Sequence, residues 1–340
     1  MSRLPTPTYS HLRRLTDAGG LYEHALGSVP RPEHGYCVND VARALVVVLR
    51  EDREDLGDLR AGYLAFVLEA QSPDGRFRNR RSVDRSWTGP ATVEDCWGRA
   101  LCGLGTAVAR GDRTQRDAAL EAFGRGAAWS SPWSRAMSFA ALGAAAVCEV
   151  RPDHPAARAV LATAAKSLRR TGRGPLWPWP EARLHYANAA VPDALIAAGT
   201  ALSDGELVAD GLQLLDWLLQ VQTRDGHLSL VPVAGWGPGD TGPCFDQQPI
   251  EAATLADACA RAYAVTGDER WRDGLELCAG WFFGRNDSGV SLYDVDTGGG
   301  CDGLEAHGRN ANQGAESTLA LLSTLQQAQL LGARTARTPW

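Results

Sequence analysis

A chain of 340 residues with 44% hydrophobic and 22% charged side chains carries enough apolar surface for a sizeable core, which excludes extended disorder away from the ends. The formal net charge of -6, with arginines scattered among carboxylates, excludes nucleic acid as a partner and favours a neutral or cationic small ligand. Lys166 is the single lysine among 34 basic residues, which reflects codon bias and carries no mechanism.

The segment Met1–Ser10 lacks the apolar run of a signal peptide, and no stretch of about 18 apolar residues occurs, so a cytoplasmic protein without membrane insertion is expected. Cys37, Cys96, Cys102, Cys148, Cys244, Cys259, Cys278 and Cys301 form no CxxC pair and sit mostly among apolar neighbours. They read as reduced core residues, with neither disulfides nor a zinc site.

Alternating β-branched runs are almost absent, whereas Ala- and Leu-rich stretches with 3.6-residue spacing recur throughout. The spacing predicts helices over residues 9–17, 38–51, 57–71, 91–110, 114–128, 134–149, 156–170, 185–202, 205–223, 247–266, 269–284 and 309–331. These are six pairs of about 55 residues each, and no Ser/Gly-rich or charged linker divides them. The expected fold is all-α, a single-domain (α/α)6 barrel in which six hairpins close a toroid, with 1–8 and 332–340 as flexible tails. The turns Gln71-Ser-Pro-Asp-Gly-Arg-Phe77 and Gln222-Thr-Arg-Asp-Gly-His-Leu228 each follow an apolar helix, and their Gly supplies a positive φ. They read as structural staples.

Four long loops, 79–92, 174–183, 231–247 and 293–309, are rich in Gly, Pro, Trp and Asp and lie on one side of the alternating helix order. Five polar clusters accompany them. His34–Leu45 places Asn39 or Asp40 at a helix start with Arg43 a turn later, which capping worth about 1 kcal/mol would also explain. In Asp84–Leu101, Thr92 caps a helix whose first turn carries Glu94 and Asp95, with Trp97 and Arg99 behind them. The segment Trp177–Asp193 sets Trp177 and Trp179 beside Glu181, followed by His185 and Asn188. Phe245–Ala252 offers Asp246 or Gln247 as a cap, Gln248, Pro249 in the first turn and Glu251 facing inward. Finally, Asn312, Gln313 and Glu316 open the last helix, with Gln313 and Glu316 on one face.

All five clusters fall at the starts of alternate helices, which in a toroid converge on one mouth. Sugars present apolar faces edged by hydroxyls, so aromatic platforms beside fixed amides and carboxylates suit them. Two carboxylates across such a mouth are what glycosidic hydrolysis requires, about 6.5–9.5 Å apart for inversion.

The motifs H-G-Y-C-x-N-D-x-A-R-A-L, D-G-R-F-x-N, E-D-x-x-G-R-A-L, D-Q-Q-P-I-E-A and N-x-N-Q-G-A-E-S-T-L resemble a bacterial (α/α)6-barrel group related to the six-hairpin glycosidases and often associated with glycosyltransferases. The resemblance spans roughly residues 11–327. It implies a carbohydrate substrate, and a glycosyltransferase as a partner. Relatives often read Asp-Asp where this chain has Asn39-Asp40, whereas Asp40, Glu94, Asp95, Glu251 and Glu316 match. The leading expectation is an inverting glycoside hydrolase without cofactor or metal. Its acid and base come from Asp40, Glu94, Asp95 and Glu251. Trp97, Trp177 and Trp179 serve as platforms, and Arg43, Arg99, His185, Asn188, Asp246, Gln248, Asn312, Gln313 and Glu316 grip hydroxyls. A sugar epimerase, lyase or phosphorylase on the same barrel is the enzymatic alternative, with His185 and Tyr186 as the obvious proton shuttle. A non-catalytic carbohydrate-binding module is the other, and a terpene cyclase is disfavoured because no DxDD-type acid run is present.

Overall fold

The computed structural model describes residues 4–169, 174 and 176–335. Twelve α-helices account for the architecture among these residues: α1 (Ser10–Arg14), α2 (Val38–Leu49), α3 (Gly57–Ala70), α4 (Asp95–Arg110), α5 (Arg113–Gly126), α6 (Ser134–Val150), α7 (Pro155–Leu168), α8 (Ala190–Leu202), α9 (Gly205–Val221), α10 (Pro249–Thr266), α11 (Glu269–Phe282) and α12 (Ala315–Thr335). The even-numbered helices form a closed inner ring, each touching the next and α12 returning to α2. The odd-numbered helices pack outside them, with the short α1 against α12. This is the expected (α/α)6 barrel.

All twelve predicted helices are present, but several begin late. The α4, α8 and α12 helices start at Asp95, Ala190 and Ala315, where the sequence pattern predicts starts near 91, 185 and 309. In each case the apolar periodicity runs back into a loop whose backbone hydrogen bonds go elsewhere. Thr92, read as a cap, pairs with Phe77 in a bridge instead, and Glu94 occupies the cap position. The mouth also carries short antiparallel ribbons that the periodicity did not announce, such as Gly303–Glu305 against Gly308–Asn310 and Tyr36–Cys37 against Arg81–Arg80. The loops that precede the inner helices interlock across this mouth: Leu184 bridges Trp236, Gln247 bridges Leu304, and Gln313 N–H donates to Gly27 O.

The staple turns tie this end of the barrel together from within. Gln71 Nε2 donates to Ala122 O at 2.9 Å, Gly75 has φ +94°, and Phe77 is fully buried behind them. In the second turn Gln222 Oε1 accepts from Val231 N–H at 3.1 Å and Leu228 is buried. All eight cysteines are free thiols, six of them buried. Among the described residues no helix is long and apolar enough to cross a membrane. Of the expected tails, 1–3 and 336–340 lie outside the described residues, whereas Leu4 packs on the core and α12 continues to Thr335.

Helices α4 and α6 approach closely because glycine lines their contact. Gly98 faces the backbone of Ala136, and Gly105, two turns on, faces the backbone of Gly143. A methyl group at Gly105 collides with the Gly143 carbonyl, so Gly105→Ala should lower stability by about 1–3 kcal/mol in urea unfolding. Gly124→Ala on α5, where the added carbon meets open space, should raise it slightly, by about 0.5–1 kcal/mol. Equal effects at the two sites would refute this packing.

Candidate active site

The inner-helix N-termini open onto a cavity of about 670 Å3. Asp40 from the first turn of α2, Asp95 from the first turn of α4 and Glu316 from the first turn of α12 all line it. Arg43 ties two of them together: Nη1 donates to Asp40 at 2.6 Å, and Nη2 lies 2.5 Å from Glu316. The same Nη2 donates to the Tyr186 hydroxyl at 2.6 Å, and Arg99 Nη2 reaches that hydroxyl at 2.7 Å. Arg99 also rests over the Phe139 ring, 3.5 Å from its centroid, and its Nε is 3.7 Å from Asp95 Oδ2.

The three carboxylates differ in environment. Asp40 is almost enclosed, with 6% of its side chain exposed, and burial pushes its carboxyl up to about 6 although Arg43 draws it back. Asp95 and Glu316 are wetter, at 28% and 33%. Asp246, Gln248, Asp302, Glu305, Glu23 and His24 complete the polar wall, with Arg80 paired to Glu23. Both lining arginines are therefore already neutralised, and the cavity is acidic. Asn39 also lines it, and its buried Oδ1 has no partner among the described residues.

Glu23, Cys37 and Asp40 bring one ligand-type atom each within 4.8 Å of one another, but the set does not suit a metal ion. Glu23 and Asp40 are spent on arginines, and burial together with the Asp40 charge pushes the Cys37 thiol up to about 12, which keeps it protonated.

Of the residues singled out from sequence, Asp40, Arg43, Asp95, Asp246, Gln248 and Glu316 meet at this cavity. The remainder lie elsewhere. Glu94 is exposed on the loop side of α4. Trp97, two residues past Asp95 and so about 200° around the helix, faces outward and donates to Gly126 O at 3.0 Å. Trp179 is fully buried and Trp177 packs edge-on against Trp217, both with their N–H on Glu181. None of the three tryptophans lines the cavity. His185 is exposed at the rim. Asn312 accepts from Gly27 N–H, and Gln313 binds Asp294 and Thr297, because both precede the true start of α12 and share no helical face with Glu316.

Glu251 is buried beneath the mouth, and its oxygens accept from Ala187 N–H, from Asn188 N–H at 3.2 Å and from Asn188 Nδ2 at 2.8 Å. Burial pushes its carboxyl up to about 7 against these donors. Arg135 grips the same loop, donating to Tyr186 O at 2.5 Å, Asn188 Oδ1 at 3.1 Å and Glu181. The sequence pattern gave no warning of Arg135, Arg80 or Glu23, and offered Tyr186 only as a companion of His185.

Below Arg43, Arg99 and Phe139 lies a second, smaller cavity of about 150 Å3 toward the far end of the barrel. Its charges are largely self-paired, Arg50 with Asp257 at 2.9 Å and Arg261 with Asp193 at 2.5 Å, which leaves little for chemistry.

Asp40 keeps its proton between its ordinary 3.8 and about 6, and Glu251 between 4.5 and about 7. In that window the folded protein binds more protons than the unfolded chain, so these two groups make stability fall as pH rises from about 4 to about 7. Buried His11, depressed in the fold, works in the other direction, so the comparison is with a variant: the urea midpoint of the wild type relative to that of Glu251→Gln should fall as pH rises through the upper half of this range. A difference that stays level or grows with pH would contradict the assignment.

No protein-family model and no curated protein sequence matches the chain. Solved structures do. A cellobiose 2-epimerase from Bacillus thermoamylovorans is similar with a TM-score of 0.71 at 9% identity, covering 95% of this chain and 96% of that one. A sugar epimerase from a ruminal bacterium gives 0.70 at 11%, covering 97% and 96%. A glycoside hydrolase family 76 α-mannanase from Bacteroides thetaiotaomicron gives 0.64 at 11%, covering 96% and 95%. At such identities the likeness establishes the (α/α)6-barrel fold over essentially the whole chain.

Proposed function

We propose that this protein is a carbohydrate-active enzyme, a glycoside hydrolase acting on a neutral oligosaccharide or glycoconjugate. The observation that carries the reading is the gathering of Asp40, Asp95 and Glu316 from three inner helices around one open cavity, with one of the three held partly protonated near neutrality. Glycosidic cleavage needs a protonated carboxyl to hand its proton to the leaving oxygen and an ionised one to activate water. Asp40, buried and raised to about 6, suits the acid. Asp95, wetter and without a hydrogen-bonded cation, suits the base. Glu316 and Asn39 then hold sugar hydroxyls, Glu316 anchored by Arg43 and Asn39 through its lone acceptor. The similarity in fold to enzymes named for saccharides supports the substrate class.

Charge favours a neutral substrate. Arg43 and Arg80 are committed to Asp40, Glu316 and Glu23, while Asp246, Asp302 and Glu305 add negative potential to the mouth. An incoming uronate or phosphate would meet repulsion, which weighs against a lyase or a phosphorylase. A sugar epimerase is the second reading, favoured by the pair of guanidiniums on Tyr186, which would hold an oxyanion. Against it, the described lining residues include one imidazole, His24, half-exposed at the rim.

A panel of neutral gluco- and manno-disaccharides, cellobiose among them, should release new reducing ends at a rate unaffected by phosphate. Conversion of the reducing sugar without cleavage would replace the hydrolase reading by the epimerase. Asp40→Asn and Asp95→Asn should each lower kcat by about 10²–10⁴-fold, the wetter Asp95→Asn with little change in Tm. Full activity in either variant removes that residue from its role.

A further inference from the structure

We propose that the Tyr186 hydroxyl is a fixed hydrogen-bond donor to the bound saccharide, and that Glu251, which does not line the cavity, acts on the reaction as the positioning residue of Tyr186. The acceptor's identity rests on the carbohydrate reading; the arrangement of donors does not.

A guanidinium nitrogen only donates, so the phenol oxygen accepts from both Arg43 at 2.6 Å and Arg99 at 2.7 Å. That uses both of its lone pairs and leaves one O–H. No acceptor among the described residues takes that hydrogen, and the phenol faces the cavity. Burial pushes the phenol up to about 12 against the two arginines, with Glu316 and Asp95 adding to the rise, so the hydrogen stays in place through the neutral range. Two cations behind the oxygen polarise the O–H bond and strengthen it as a donor. The consequence is a hydrogen aimed at a ligand oxygen, with its direction set from behind.

The main chain of the same residue is clamped as tightly. Ala187 sits at φ +45°, a left-handed conformation that costs a residue with a side chain about 1 kcal/mol or more and needs outside support. Glu251 from α10 supplies it by accepting from the Ala187 and Asn188 amides and the Asn188 side chain. Arg135 from α6 holds the Tyr186 carbonyl and Asn188 Oδ1 from the other side. A buried carboxylate is expensive, and these three donors on one turn are what it is spent on.

The test is a double-mutant cycle on whichever disaccharide of the panel is turned over, with a substrate-free arm beside it. Tyr186→Phe, which keeps the ring, should lose about 10²-fold in kcat with KM little changed, the scale of one removed donor in a desolvated site. Glu251→Gln should also lower kcat per folded molecule, and the double variant should be no slower than Tyr186→Phe alone. Multiplied losses, or a wild-type kcat in folded Glu251→Gln, would overturn the positioning role. Without substrate, amide exchange at Ala187 and Asn188 should accelerate in Glu251→Gln, and the Tyr186 ring-carbon signal, identified by its absence in Tyr186→Phe, should stay in its protonated position beyond about pH 11. Unchanged exchange refutes the clamp, and a phenol ionising at 10 or below refutes the donor. If no saccharide of the panel is turned over, the hydrolase reading fails, and this second arm still judges Tyr186 and Glu251.

Discussion

The arrangement depends on one buried cation. Arg43 is nine-tenths enclosed, and a charge taken that far from water is tolerable only when it is paired and hydrogen-bonded. Its Nε has no partner among the described residues, so the two Nη groups carry that burden by drawing in groups from three separate stretches of chain: Asp40 one turn back on its own helix, Glu316 on α12, and Tyr186 on the loop before α8. Because α12 and α2 are the last and first long inner helices, the Arg43–Glu316 pair also fastens the seam at which the ring closes. The geometry of the candidate site and the closure of the ring thus rest on the same contact.

Around that centre the mouth is built in two layers. The staple turns, which lead from outer helices toward inner ones at this same end, bury Phe77 and Leu228 and use the Gln71 and Gln222 amides to hold neighbouring backbone. Beyond them run long, interlocked loops whose acidic side chains line the mouth. Charge is buried toward the other end too, but there it is paired within the protein, as Arg50–Asp257 and Arg261–Asp193. The acidic field at the mouth is not cancelled by the arginines that line it, since each is occupied.

Much of the fold was legible in the sequence, and the reason is physical. Twelve apolar stripes at helical spacing, none separated by a linker, leave a ring of hairpins as the economical way to bury them. Helix starts were less legible, since Thr92, His185 and Asn310 lie in segments that look helical by composition but whose backbone is held otherwise, by a bridge to Phe77, by the Asn188 side chain and by a ribbon against Gly303. The site was half legible. Asp40, Asp95 and Glu316 stand in first turns, where a short acid-bearing motif announces them. Trp97, by contrast, was assigned from its proximity to Asp95 in sequence, and proximity ignores the half-turn that sends it to the outer ring. Glu251 could not be told apart from a residue lining the cavity by pattern, because supporting a loop and touching a ligand demand the same side-chain chemistry. Only its partners distinguish it, and Arg135, which holds the same loop, stands in no cluster that the pattern marks.

The layer of Arg43, Tyr186, Arg99 and Phe139 divides the upper cavity from the lower one. A polymer strand therefore has no way through the toroid: what enters from the top must stop at that floor. On the saccharide reading, such a blind shaft receives the terminus of a glycan and leaves interior linkages outside, so the protein would shorten chains one end at a time, or process small free sugars, and would leave the viscosity of a long polysaccharide almost untouched.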